Sequence, residues 1–197
     1  MPLSVKLYLA FLALLGLERL AELFLSRRNA ARAFARGAVE VGQRHFRVMS
    51  IFHTAFLIAC AAEVIAFSRP FPGALGFVCL GGALAAQALR YWAIASLGDR
   101  WNVRVIVIPG DPPVTRGPYR FLRHPNYLAV VLEMAFIPLI HGAYWTAILF
   151  SIGNAALLWV RIRAEEQALG EVYAKVFEKH ARFIPGIPRS PAQPAAR

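Results

Sequence analysis

Five apolar segments, separated by arginine-rich loops, leave this chain few ways to fold. They run from Leu3 to Leu25, from Val48 to Phe67, from just after Pro72-Gly73 to about Leu97, from Pro125 to His141-Gly142, and from about Ala143 to Val160. Most approach the ~20 residues that cross a hydrocarbon layer as a helix. In such a layer every backbone N–H and C=O must find its partner within the protein, so these segments are expected to be helical. The chain is 58% hydrophobic and only 17% charged, with a mean hydropathy of +0.49. That balance excludes an ordinary soluble globule. The expected fold class is therefore an all-α integral membrane protein with about five transmembrane helices. We read it as one domain over 1–197: three N-terminal helices within 1–99, a hairpin region over 100–188, and a disordered tail over 189–197. The long first segment reads as a retained span and not as a cleaved leader.

The fourth and fifth segments have the marks of a helical hairpin. Pro125 suits a first-turn position, where its missing N–H costs nothing. Pro138 should kink or end the helix near its far side. His141-Gly142 is the expected turn. Beyond the fifth segment, Leu169, Val172, Tyr173, Val176 and Phe177 alternate with charge from Glu165 to about Arg182. This spacing predicts an amphipathic helix that lies on the membrane surface or folds back over the site.

The formal net charge of +11 could point to nucleic acid, but its distribution does not. The basic residues collect in the loop between segments one and two, in the loop between three and four, and after segment five. The opposite face has only Lys6 and Arg69. The positive-inside rule then puts the N-terminus outside and both long loops and the C-terminus in the cytoplasm. Anionic membrane lipid is the expected partner of those arginines. Cys60 and Cys79 lie inside apolar runs without metal-ligand spacing and read as small core residues.

Several charges fall inside the apolar segments: Glu18, Arg19 and Glu22 in the first, His53 and Glu63 in the second, Arg90 in the third and Glu133 in the fourth. Each is costly in hydrocarbon unless paired or turned toward a polar cavity. Structural pairing, such as Arg90 with Glu18 or Glu63, is one reading. The other is that some of them line a substrate cavity, with Glu63 and Glu133 as the candidates.

Two clusters carry the chemical signal. Tyr119-Arg120-Phe121-Leu122-Arg123-His124-Pro125-Asn126-Tyr127 precedes the fourth segment, and Arg161-Ile162-Arg163-Ala164-Glu165-Glu166 follows the fifth. A hairpin brings both to the same membrane face. The free N–H groups of a helix start favour an anion such as a carboxylate. Arg123 adds positive charge there and Tyr127 an aromatic edge. Arg161 and Glu165 lie one turn apart and share a helix face. One suits an anionic substrate and the other a cationic cofactor. Glu166, on a different face, is expected to meet water or lipid headgroups.

These residues resemble a known family. Gly117-Pro118-Tyr119, Arg123-His124-Pro125-Asn126-Tyr127, and Glu165-Glu166 with Leu169 are similar to the motifs of the isoprenylcysteine carboxyl methyltransferase family, over about residues 100–188. Its superfamily also holds phospholipid methyltransferases and membrane sterol reductases. The resemblance implies S-adenosylmethionine as cofactor. It implies cofactor contacts from Asp111 to Val114, Tyr119, His124, Pro125, Asn126, Tyr127 and Glu165. It also implies that Arg161 contacts the substrate and is the catalytic residue. Gly170-Glu171-Val172-Tyr173 stands where the eukaryotic enzymes have a Phe-Gly pair. Glu18-Arg19, Arg28-Asn29, Arg36-Gly37 and Glu40-Val41-Gly42 resemble a bacterial branch associated with methylating long-chain alkylpyrones. A bacterial inner membrane is then the expected location, and a lipophilic acid or enol the expected substrate.

The chemistry suits the residue types. Methyl transfer from sulfonium to oxygen needs donor and acceptor held in line and water kept out. It requires no metal, and no Cys/His cluster is present. An acceptor already ionised needs an arginine to orient its oxygen and no strong base. An NADPH-dependent reductase on the same hairpin would need more basic residues for the 2′-phosphate. A non-catalytic membrane module, with charges that only set topology, is the third reading.

Overall fold

The computed structural model describes residues 1–178 and 180–183. The tail expected at 189–197 lies outside them, as does the end of the hairpin region at 184–188. Five helices form the body: α1 (Leu3–Ala35), α2 (Gln43–Ala66), α3 (Ala74–Leu97), α4 (Pro125–Leu139) and α5 (Tyr144–Val176). Three of them, α2, α3 and α5, are long and apolar enough to cross a membrane, and α4 is a shorter apolar helix. α1 has ample length, about 50 Å for its 33 residues, but carries Glu18, Arg19 and Glu22 in its apolar stretch. It also continues past Leu25 to Ala35. The extension is rich in alanine and arginine, both strong helix formers.

The ends of α4 follow from its prolines. Pro125 occupies the first turn, His124 is the residue before it, and Pro138 stands just before the end at Leu139. The chain then reverses through Gly142, and the Ala143 N–H closes the turn on the Pro138 carbonyl at 2.9 Å. α4 packs chiefly on α3, with α5 along its other side. Close approach of α3 to α4 needs Gly82, where a Cβ would stand 2.7 Å from the Phe136 ring. Tyr8, Phe56, Val64, Met134 and Ile137 are buried in one cluster between α1, α2 and α4. Inside lipid such packing gains van der Waals contact and not water release.

A two-stranded ribbon was not expected. β1 (Val39–Val41) pairs antiparallel with β2 (Val105–Val107), Glu40 opposite Ile106, and so ties the two long loops together. Gly42, at φ 70°, lets β1 turn directly into α2. From the same region Asn29 donates to the Trp101 carbonyl at 2.9 Å, and Ser26 accepts the Val103 N–H at 3.2 Å. α1 is thereby stitched to the loop before β2.

The buried charges pair differently from the expected scheme. Arg90 binds Glu22 through two hydrogen bonds of 2.7 and 2.6 Å, and approaches Glu133 at 3.7 Å. Arg19 bridges Glu18, Glu22 and Glu133. Glu18 instead accepts from Gln87. Glu63 sits at the far end of the bundle, where it caps α5: it accepts from Trp145 N at 3.2 Å, Thr146 N at 2.7 Å and Thr146 Oγ1 at 2.8 Å, and pairs with Arg69 at 3.1 Å. A carboxylate there satisfies free N–H groups and meets the positive end of the helix dipole.

Candidate functional site

At the ribbon end of the bundle the helices part around a cavity of about 790 Å3. Tyr119, His124, Asn126 and Tyr127 line it from α4 and the turn before it, and Arg161 and Glu165 from α5. Asp111 and Val114 line it from the loop after β2. Pro125 is buried directly behind His124. The two sequence clusters thus meet on one space. The cavity also runs between α1 and α2, along Leu17, Leu20, Leu57 and Ile58. Leu17 and Ile58 are 62% and 64% exposed on the outer surface of the bundle, so this apolar wing opens sideways toward lipid.

Neither acidic residue expected in a substrate cavity lines this one. Glu63 is engaged in capping α5 near Thr146, which lies about 22 Å along the helix from Arg161. Glu133 is turned onto Arg90 and Arg19. The groups of the charge cluster that do reach the cavity are Arg19, Glu22 and Arg90.

The polar end is built from interlocking contacts. Arg161, 7% exposed, donates from Nε to the Tyr127 hydroxyl at 2.8 Å and from Nη2 to the Val103 carbonyl at 2.6 Å. Tyr127 in turn donates to Glu165, and its ring stacks on His124 with centroids 5.3 Å apart. Glu166 departs from expectation. It does not face water or headgroups: it accepts from His124 Nε2 at 3.1 Å and from Arg182 Nε at 3.0 Å.

The reason is the path of the tail. α5 is continuous to Val176 except at Gly170, whose φ of 71° and ψ of −164° break the helix. The chain beyond returns over the site. Arg123 donates to the carbonyls of His180 at 2.7 Å and Glu178 at 3.2 Å, and its backbone N–H bonds Ala181 at 3.0 Å. Tyr173 and Phe177 are buried. The end of the amphipathic segment folds back over the site, while Val172 and Val176 stay exposed.

A 33-residue α5 is longer than a ~30 Å hydrocarbon layer requires, so its last turns project beyond the span that ends near Val160. There, burial pushes the Glu166 carboxyl up, but hydrogen bonds from His124 and Arg182 outweigh it and hold it at about 2. Burial, then the nearby Glu165 carboxylate, push the Tyr119 phenol well above its ordinary value. Glu166 is therefore a fixed anion and Tyr119 a fixed donor near neutral pH.

The open valences of the site bear on a sulfonium cofactor. Asn126 Oδ1 is buried with no hydrogen-bond partner among the described residues. A buried orphan acceptor on a cavity wall calls for a donor from a ligand. Glu165 supplies negative charge beside it. Asn126, His124, Tyr127, Tyr119 and Glu165 are thus the candidates for holding a cationic, hydrogen-bonding cofactor such as S-adenosylmethionine, with Asp111 and Val114 across the cavity. Among the described residues no group of His, Cys, Asp or Glu could hold a metal ion. Four positioning groups escaped the sequence. The Val103 carbonyl is backbone and leaves no side-chain signal. Ser26 and Asn29 read as ordinary helix residues. Arg182 could have been found as the positive charge answering Glu166.

A bundle of apolar helices whose last hairpin carries these two clusters belongs among membrane-embedded enzymes. Comparison with known proteins gives the family. Residues 77–171 match the model of the isoprenylcysteine carboxyl methyltransferase family. The uncharacterized protein YpbQ of Bacillus subtilis is 42% identical over 165 residues, 83% of this chain and 97% of that one. An uncharacterized protein of Haemophilus influenzae is 28% identical over 158 residues, 80% and 91% of the two chains. The protein-S-isoprenylcysteine O-methyltransferase of Schizosaccharomyces pombe is 29% identical over 129 residues, 64% and 52%. The chain belongs to the isoprenylcysteine carboxyl methyltransferase family, and is an integral membrane methyltransferase at that level.

Proposed function

We propose that the protein methylates the oxygen of a lipophilic acid or enol, with S-adenosylmethionine as donor and a long-chain alkylpyrone as the leading acceptor. One observation carries the reading: a single cavity joins a polar end, with Glu165 and the unpartnered Asn126, to an apolar wing open toward lipid. A water-soluble donor and an alkyl-chain acceptor can approach one another there from different sides. The alkylpyrone is favoured by the resemblance of the N-terminal half to the bacterial branch. The positive-inside rule puts the polar end and the C-terminus in the cytoplasm of a bacterial inner membrane.

When bound, the cofactor supplies an electrophilic methyl group on a sulfonium. The chain's own residues do the rest. Glu165, oriented by Tyr127, balances the sulfonium charge. His124 and Asn126 offer polar contacts, while the Tyr119 hydroxyl donates. Arg161 is held rigid by Tyr127 and Val103, and Nη1 has no hydrogen-bond partner among the described residues. That N–H is the group placed to orient the acceptor's oxygen. Tyr173, Phe177 and the returning tail exclude water from the reacting centre.

Titration with S-adenosylhomocysteine, followed by transfer of tritiated methyl across a chain-length series of hydroxypyrones and prenylcysteines, tests this. Binding together with rates that rise with chain length, up to ~0.8 kcal/mol per buried methylene, is the expected result. No binding, or a short water-soluble acid as best acceptor, would overturn it. Preference for prenylcysteine would shift the acceptor toward that named for the Schizosaccharomyces pombe relative.

A further inference from the structure

His53 on α2 lines the same cavity. Its Nδ1 lies 2.8 Å from the backbone oxygen of Met49, one turn earlier. A carbonyl can only accept, so in the neutral ring Nδ1 carries the hydrogen and the lone pair is on Nε2. Nε2 has no hydrogen-bond partner among the described residues, yet it is not among their shut-in polar atoms. The lone pair is therefore open to the cavity.

The position is equally specific. Met49 is buried in one cluster with Tyr127 of α4 and with Leu158 and Ile162 of α5. The latter two bracket Arg161. The Met49–His53 face of α2 is thus turned toward the hairpin that holds Arg161, with the start of the apolar wing between them. One wall offers a free lone pair and the other a free guanidinium N–H. An acid crossing from lipid meets both.

We propose that His53 is the base that takes the acceptor's O–H proton, and that the acceptor is a weakly acidic long-chain enol or phenol arriving protonated from the bilayer; this rests on the methyltransferase reading above. A neutral acid dissolves in hydrocarbon, whereas its anion is costly there. A carboxylic acid already ionised at the interface would have no proton for Nε2 to take. The step balances. The O–H proton passes to Nε2 and leaves an imidazolium. The freed electron pair on oxygen forms the new O–C bond. The electrons of the broken S–C bond go to the donor's sulfur, which ends as a neutral thioether. The imidazolium then returns its proton to water at the polar end.

The charged and titratable groups facing His53 are Arg19 and Glu22 of α1, Arg90 of α3, Tyr127 of α4, and Arg161 of α5. The arginine charges are fixed across any practical pH range. The experiment measures kcat and KM against pH for the unaltered protein, His53→Gln and His53→Asn. Acceptors are long-chain alkylphenols whose ring substituents grade the O–H acidity, and S-adenosylhomocysteine titration accompanies each variant. For the least acidic phenol, kcat should fall about a hundred- to ten-thousandfold, the usual worth of a positioned base. The loss should shrink as the phenol becomes more acidic and as pH rises, while S-adenosylhomocysteine affinity stays within about twofold. Full kcat in His53→Gln, or an equal loss at every acidity and pH, overturns the proposal. Loss of S-adenosylhomocysteine binding in both variants would make His53 structural and overturn it too. Failure of the unaltered protein to bind S-adenosylhomocysteine would remove the methyltransferase reading along with it.

Discussion

Adjacent glutamates at the end of α5 do different work because they point about 100° apart around one helix. Glu165 faces the cavity beneath Tyr127, and Glu166 clamps His124 and Arg182. Glu165→Ala should weaken S-adenosylhomocysteine binding about ten- to a hundredfold, the ~1.5–3 kcal/mol of a charge-assisted hydrogen bond. Glu166→Ala should weaken it as well, through a freed His124 and a loosened tail. Calorimetric titration of the two variants checks this, and wild-type affinity in Glu166→Ala would refute the clamp. Arg161→Ala should abolish or severely slow methyl transfer and leave S-adenosylhomocysteine affinity within a few-fold. Arg161→Lys should rescue only partly, because an ammonium cannot hold Tyr127 and Val103 and still present a planar fork to the acceptor. The split between transfer rate and binding is the measurement. Tyr119, His124, Tyr127, Arg161 and Glu165 were legible because motif and helical spacing place them on one hairpin. The bond between Glu166 and His124 was not. It depends on a tail that kinks at Gly170 and turns back after Val176, and no periodicity encodes that return.

Among the elements, α5 is the one whose course decides the site. Gly170 takes a φ and ψ that other residues reach only at about 1–3 kcal/mol. A Cβ there would meet nothing within 4 Å, so the cost of a substitution is backbone strain alone. Gly170→Ala should therefore lower the melting temperature modestly and make the segment from Glu171 to Phe183 more susceptible to protease. Limited proteolysis with and without S-adenosylhomocysteine reads both. An unchanged cleavage pattern would mean that the return path does not need glycine. The helices themselves were legible from apolar length and from Pro125 and Pro138. The ribbon was not, since Val39–Val41 and Val105–Val107 are too short for a period of two to stand out. The capping of α5 by Glu63 was hidden for another reason. A lone buried acid gives no hint of which helix start will meet it.

At the scale of the whole molecule, the ribbon brings the two long arginine-bearing loops to one end of the bundle, and the positive-inside rule expects that end in the cytoplasm. A cysteine placed at Ser68 should be labelled by an impermeant reagent from outside the cell, and one at Thr115 should not. Both positions are exposed and the native Cys60 and Cys79 are buried, so background is low. Strong outside labelling at Thr115 would invert the topology. The family match spans residues 77–171 and so takes in the walls that carry Asp111, Tyr119, His124, Tyr127, Arg161 and Glu165. It leaves out α1 and α2, which supply the apolar wing and His53. The cavity is thus lined from two sides, one within the family match and the other, with His53 and the apolar wing, from helices outside it. On the proposed reading, a relative that keeps the first set of residues and changes the second takes the same donor and another acceptor.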